Sequence, residues 1–235
     1  MNWIWSNLDR IGELILVHLA LSVPAIILSF VISVPIGWLA WRYRWSRGVL
    51  LSVCGILYAI PSLPLLIALP GVIGVSLRSP LNLVVALTLY GIALMVRTAA
   101  DAFADVDADI RLSATAVGYS PWRRFSGVEL PLAGPGLLAG LRVVIVSTVS
   151  LATISALIGV QSLGSLFTDG FQRGIAGEIW AGVLATMLLA VVLDGLVVLV
   201  GRWLLPWSQP ARARRRRDAR RREARHSDAR PEVAA

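Results

Sequence analysis

The feature that most limits what this chain can fold into is the length of its uncharged stretches. Counting His18 as neutral, no residue between Glu13 and Arg42 carries a full charge. The same holds between Arg47 and Arg78, over residues 79–96, and between Arg142 and Asp169. A helix needs about 20 apolar residues to cross a hydrocarbon core about 30 Å thick, and each stretch reaches or nearly reaches that length. A last apolar stretch, residues 179–205, is interrupted only by Asp194 and Arg202. Only 15% of the residues are charged and 57% are hydrophobic, whereas a soluble domain is roughly a quarter charged. These segments are built for lipid.

The pattern predicts an all-α polytopic membrane protein with about five transmembrane helices. Span one covers about residues 14–41 and holds Pro24 and Pro35, which kink a membrane helix tolerably where neighbours satisfy the freed carbonyls. Span two covers about residues 49–74 and contains Pro61, Pro64 and Pro70. Its block is too long for one upright helix and too short for two, so a helix broken near Pro61, with a tilted or re-entrant continuation, is expected. Broken backbone at membrane depth survives only against protein or a watery cavity. Pro61 and Ser62 are therefore candidates for the wall of a pathway. Span three is about residues 81–96, span four about 134–157, and span five about 179–205. A polar cytoplasmic loop, about residues 97–133, separates spans three and four. The domain plan is an external segment over residues 1–13, a membrane body over 14–207 and an arginine-rich tail over 208–235.

Arginine placement orients the chain. Arg42, Arg44 and Arg47 follow span one, Arg97, Arg111, Arg123 and Arg124 lie in the loop, and ten arginines with four acids follow Ser208. The positive-inside rule then puts the N-terminus outside and the C-terminus in the cytoplasm. Most of the formal net charge of +8 thus lies in the tail, which argues against nucleic-acid binding by the whole protein. The tail suits either a helix laid on anionic lipid or a disordered orientation signal. Tryptophans near span ends, including Trp3, Trp5, Trp38, Trp41, Trp45, Trp180, Trp203 and Trp207, read as an interfacial belt. The first apolar run is longer than the core of a secretory signal and lacks a basic leader, so it is expected to remain as a span. Cys54, the one cysteine, excludes an internal disulfide and a cysteine-cluster metal site.

Polar groups inside the spans are few. Ser147, Ser150 and Thr153 share one face of span four at helical spacing. They offer a passing solute hydrogen bonds without a fixed charge, or serve as interhelical glue. Arg142 and Asp194 are the charges well inside spans; such charges are costly and face a cavity or a partner. Pairing with each other is the expected role. The tryptophans are assigned to interfaces and no aromatic cage for a cationic ligand stands out.

The loop between spans three and four carries the most specific pattern. A small-residue stretch through Ala114 reaches Gly118, nine residues follow, and then comes Val128-Glu-Leu-Pro131. Gly118 permits a turn between two short helices, while Tyr119, Trp122 and Phe125, with Arg123 beside them, supply the aromatic anchors typical of protein contacts. This segment resembles the EAA loop of binding-protein-dependent ABC importer permeases, in which Glu-Ala-Ala, three residues, Gly and nine residues precede Ile-x-Leu-Pro. Gly118, Leu130 and Pro131 match in identity and spacing, Val128 is a conservative match and Ala114 holds the second alanine place. Leu112 and Ser113 depart from the pattern. Ser33-Val-Pro-Ile-Gly37, Tyr58-Ala-Ile-Pro-Ser-Leu63 and the stretches over residues 130–142 and 150–164 resemble the osmoprotectant branch of that family. The likeness runs over residues 14–205.

The resemblance implies a type I, MetI-like permease fold and a transport subunit rather than an enzyme. It implies ATP-driven uptake of a small osmoprotectant such as glycine betaine, choline or carnitine, across a bacterial inner membrane. Partners implied are an ABC ATPase dimer, a second permease copy or a homologous permease, and an extracytoplasmic substrate-binding protein. No phosphate-binding loop is present and the chain has no lysine, so ATP and Mg are expected on the separate ATPase, with no cofactor or metal in this chain. An importer for an amino acid or another small polar solute is the alternative. A passive channel would not need the element from Gly118 to Pro131. A polytopic enzyme acting on lipid would need an interfacial histidine or charged cluster; Asp101, Asp105, Asp107 and Asp109 have no histidine beside them and read as a solvated helix end.

Overall fold

The computed structural model describes residues 2–208, and the tail assigned from the sequence lies outside the described residues. Among the described residues the chain is helical, with no strand. A short α1 (Asn2–Trp5) leads into α2 (Leu8–Arg42), followed by α3 (Arg44–Ala59), α4 (Ser62–Ile73) and α5 (Pro80–Ala104). The loop region contains α6 (Ala108–Ala116) and α7 (Pro121–Arg124); then come α8 (Leu130–Ala152), α9 (Ser165–Arg173) and α10 (Ala176–Leu204). Helices α2, α5, α8 and α10 are each long and apolar enough to cross a membrane.

Span two is broken where the prolines predict. Helices α3 and α4 are bent by 107° across residues 60–61, with Ile60 and Pro61 extended. Three contacts with α5 show how the broken segment runs. Arg47 pairs with Asp101 at 3.0 Å, the Tyr90 hydroxyl donates to the Ile60 carbonyl, and Asn82 Nδ2 donates to the Leu66 carbonyl at 3.0 Å. From Asp101 to Asn82 is about 28 Å of helix at 1.5 Å per residue. The broken segment therefore runs alongside α5 over that length.

Helices α2 and α5 form the centre, held by small residues instead of large apolar ones. The buried stripe of α2 includes Ser22, Ala25, Ser29, Ser33 and Gly37. A Cβ on Gly37 would come within 2.5 Å of Ala99 Cβ, and one on Gly91 would overlap Ser29 Oγ. In lipid, where apolar burial drives little association, such close backbone approach is what holds helices together. Ser29 Oγ lies 2.7 Å from the Ala25 carbonyl and 3.1 Å from that of Thr88, so its hydroxyl is satisfied inside the contact.

Two details differ from the sequence reading. Helix α5 continues past Arg97 to Ala104, so the loop proper is shorter than the polar segment. Trp38 and Trp41 do not belong to a lipid belt. They pack beside Phe103 and Phe125 in an aromatic core cluster, because the C-terminal end of α2 is overlaid by the loop. Trp5, Trp45, Trp180 and Trp203 are exposed as a belt requires.

Candidate functional site

The loop between α5 and α8 is a short, capped two-helix knob. Asp107 caps α6 by accepting from the Asp109 amide at 2.8 Å. At its far end the Tyr119 amide donates to the Ala114 carbonyl and the Gly118 amide to that of Thr115, both at 3.0 Å. This double bond pattern is the Schellman stop, which needs a left-handed residue just past the helix. Gly118 supplies it with φ 92°. The spacing of Ala114 and Gly118 thus has a backbone cause. Ser120 and Pro121 then start α7, the hydroxyl accepting from the Arg123 amide.

Between α7 and α8 the backbone makes one π-helical turn, Phe125–Glu129, and the Leu130 amide donates to the Phe125 carbonyl. Pro131 directly follows. A proline lacks the amide that would continue an ordinary helical ladder, and wider turns of this kind absorb such gaps. Val128, Leu130 and Pro131 are half-buried at this junction. The Pro131 carbonyl accepts from Trp207 Nε1 at 3.3 Å.

What the loop presents outward differs from the sequence expectation at one anchor. Trp122 is 70% exposed and Tyr119 44%, and Arg123 is exposed beside them. Phe125 is buried, with ring centroids 4.9 Å from Trp38, 5.9 Å from Phe103 and 5.4 Å from Trp122. It holds the knob to the membrane body and is no outward anchor. Leu112 and Ser113, where the family pattern weakens, are exposed.

Sequence reasoning missed the residue that fastens the loop. Glu129 is buried; it accepts from Trp38 Nε1 at 2.7 Å and from Arg124 Nε at 2.8 Å. Arg124 Nη1 also donates to Thr115 Oγ1 at 2.9 Å. One carboxylate thus joins α2, the end of α6 and the π-turn. The signal available in the sequence was an acid inside an otherwise apolar motif, with an arginine five residues earlier.

Within the membrane body, Pro61, Ser62, Ser147 and Ser150 line one groove of about 540 Å³ together with Tyr58 and Tyr90. Thr153 lies outside that groove. With Ser150, Thr186 and Asp194 it lines a neighbouring cavity of about 440 Å³, and its own hydroxyl donates to the Ser150 carbonyl. Thr148 and Ser155 are buried instead. Tyr58 and Tyr90 meet edge to face, centroids 6.3 Å apart, as a pair and not a cage. Their positions 32 residues apart conceal this until the broken span folds along α5.

Arg142 of α8 and Asp194 of α10 form a bidentate pair, Nε to Oδ1 at 2.7 Å and Nη2 to Oδ2 at 2.8 Å. At the opposite end, Arg10 joins Asp169 at 2.5 Å and the fully buried Glu178 at 2.8 Å, fastening α2 to α9 and α10.

Comparison with known proteins gives one consistent result. Residues 29–207 match the family model described as a binding-protein-dependent transport system inner membrane component. The chain is 31% identical over 200 residues to the osmoprotectant import permease protein OsmW of Salmonella typhimurium, covering 84% of this chain and 93% of that protein. It is 28% identical over 189 residues to the choline transport system permease protein OpuBB of Bacillus subtilis, covering 80% and 86%. The fold is similar to a chain of the MetNI methionine ABC transporter in an inward-facing conformation. The TM-score is 0.69 at 22% identity, over 89% of this chain and 99% of the other.

Proposed function

The chain belongs to the family of binding-protein-dependent transport system inner membrane components, and on that premise we propose that its cargo is a small osmoprotectant such as glycine betaine, choline or carnitine. It is a permease subunit of an ABC importer, a multi-pass inner membrane protein and not an enzyme. The substrate class is supported by the names of its relatives, which include a glycine betaine/carnitine/choline permease of Bacillus subtilis 28% identical over 84% of this chain.

Coupling to a separate ATPase dimer, which carries ATP and Mg, falls to the knob. The observation that carries this reading is the contrast between Trp122, exposed at its tip, and Glu129, buried at its root. A rigid element with an apolar tip transmits a rigid-body movement, and exposed aromatics beside arginine are the usual centre of such contacts. Ala114, Gly118, Tyr119, Trp122, Arg123, Val128, Leu130 and Pro131 form this coupling site. It lies in the cytoplasm, with the N-terminus outside and the C-terminus inside, following the arginine distribution. The plan of a membrane body over residues 14–207 with a separate tail over 208–235 goes with it.

The groove of Pro61, Ser62, Ser147 and Ser150, continued by Thr153, is the wall of the solute pathway. Broken backbone at membrane depth requires water or protein beside it. A second permease copy or a homologous permease closes this face, and an extracytoplasmic binding protein delivers the solute.

The test is uptake of radiolabelled glycine betaine, choline and carnitine into proteoliposomes holding the permease, its ATPase and its binding protein. ATP-dependent uptake that a Gly118→Trp variant loses, while still inserted, supports cargo and coupling together. Uptake of another small polar solute and none of these three would overturn the osmoprotectant reading alone. Uptake indifferent to ATP and to Gly118 would overturn the coupling role.

A further inference from the structure

We infer that the Arg142–Asp194 pair is a transit site for the charged ends of a quaternary amine, and that it sets the permease's preference between zwitterionic and purely cationic cargo. The inference rests on the osmoprotectant reading above.

The first argument is depth. Trp207 contacts Pro131, so α8 begins and α10 ends on the same side of the membrane. Arg142 lies about 18 Å along α8 from Leu130, and Asp194 about 15 Å along α10 from Leu204, at 1.5 Å per residue. In a core about 30 Å thick the pair is near the middle. Charges there face the bundle interior or a watery cavity. Yet the Arg142 side chain is 49% exposed and that of Asp194 23%. The surface that bears them is therefore not a lipid surface.

The second argument is what surrounds the pair. Arg142, Asp194, Val143, Val146 and Ser147 line a cavity of about 430 Å³. Asp194 also lines the cavity of about 440 Å³ that contains Ser150, Thr153 and Thr186. The groove at the proline break shares Val146, Ser147 and Ser150 with these two. The pair thus sits beside a trough along α8 whose polar groups are otherwise uncharged hydroxyls.

The third argument is unused capacity. A guanidinium has five N–H donors and a carboxylate about four acceptor positions, and the pair engages two of each. A zwitterion lying along the trough places its carboxylate on the remaining N–H groups of Arg142 and its ammonium against the open side of Asp194, without parting the two. Each charge is already balanced by its partner, so the added attraction is weak. A pathway needs that, because conduction requires sites that release what they hold.

The two residues then differ by cargo. Glycine betaine uses both, whereas choline, which has no carboxylate, uses Asp194 alone. The experiment measures kcat/KM for the two solutes in proteoliposomes with the ATPase and binding protein, normalised to inserted permease. Taking each variant's betaine-to-choline ratio against that of the unaltered protein cancels the binding protein's own preference. Arg142→Gln is expected to lower the ratio about tenfold, the effect of one charge-assisted hydrogen bond, while Asp194→Asn lowers both rates. Where a single variant fails to insert, the neutral double variant Arg142→Gln with Asp194→Asn supplies the same reading, again with a lowered ratio. A ratio unmoved in Arg142→Gln, or in the double variant where Arg142→Gln does not insert, would overturn the inference. Equal loss for both solutes, restored by exchanging the two residues, would make the pair a purely structural link. Failure of the unaltered protein to move either solute would instead overturn the osmoprotectant reading on which this one rests.

Discussion

Trp38 Nε1 donates a 2.7 Å hydrogen bond to Oε2 of Glu129, 91 residues away, and this contact ties the first span to the root of the knob. The same carboxylate holds Arg124. Trp38→Phe keeps the ring against Phe125 and removes the donor, so its cost is that of a hydrogen bond to a buried charge, about 1–3 kcal/mol. Glu129→Ala strands Arg124 as well and is expected to cost about 3–5 kcal/mol, as one-sided loss of a buried pair does. Thermal unfolding of the purified permease should rank Glu129→Ala below Trp38→Phe and both below the unaltered protein. Two unshifted melting curves would show that the knob is held by other contacts.

Gly118 combines φ 92° with open space: a Cβ there meets no atom within 4 Å. Gly118→Ala therefore carries only the backbone penalty of the left-handed region, about 1–2 kcal/mol. That penalty falls on the Schellman stop and leaves the span contacts untouched. Coupled uptake is expected to drop while the melting temperature of the membrane body changes little. Gly55→Ala is the control, being helical, equally uncrowded and neutral or stabilising by up to about 1 kcal/mol. Equal uptake by the two variants would remove the turn at Gly118 from the coupling mechanism.

Spans and their break were legible in the sequence because they depend on composition and on proline, both local properties. The uncharged block around Pro61 forces a broken helix whatever it packs against, and α3 and α4 meet there. The turn at Gly118 was legible for a similar reason, since a helix stop is written within six residues. Glu129 and Tyr90 were not. Their roles depend on Trp38 and Ile60, which reach them only after α2 and α3 have packed along α5. Phe125 failed for the opposite reason: its helix is too short for periodicity to tell an inward ring from an outward one. The belt reading of Trp38 and Trp41 failed because position near a span end does not say what overlies that end.

Glu178 offers a comparison of two arginines on one carboxylate. Its side chain is fully buried; Arg10 approaches at 2.8 Å with 35% exposure, and Arg173 at 3.6 Å with 57% exposure. Arg10 also reaches Asp169, so its loss leaves a buried acid with only the distant, well-solvated arginine. Arg10→Ala is expected to destabilise by about 3–5 kcal/mol. Arg173→Ala is expected to fall within about 0–1 kcal/mol, the range of exposed pairs. Comparable loss for both arginine variants in thermal unfolding would contradict this ranking.

Trp122 and Phe125 stack 5.4 Å apart but face different environments, and that separates docking from folding. Phe125 is buried between Trp38 and Phe103; truncation leaves a cavity in the aromatic cluster, and Phe125→Ala is expected to cost about 3–5 kcal/mol of stability. Trp122 is 70% exposed, so Trp122→Ala removes little from the isolated permease. If the knob seats in a groove on the ATPase, however, that ring is covered there, and interface tryptophans commonly carry about 2 kcal/mol or more. Pull-down of the ATPase by detergent-purified permease should then weaken at least about thirtyfold for Trp122→Ala, with its melting temperature unchanged. A Trp122→Ala protein that binds the ATPase normally would move the docking centre to Tyr119 or to the exposed face around Leu112. One that melts early would show that Trp122, like Phe125, belongs to the fold.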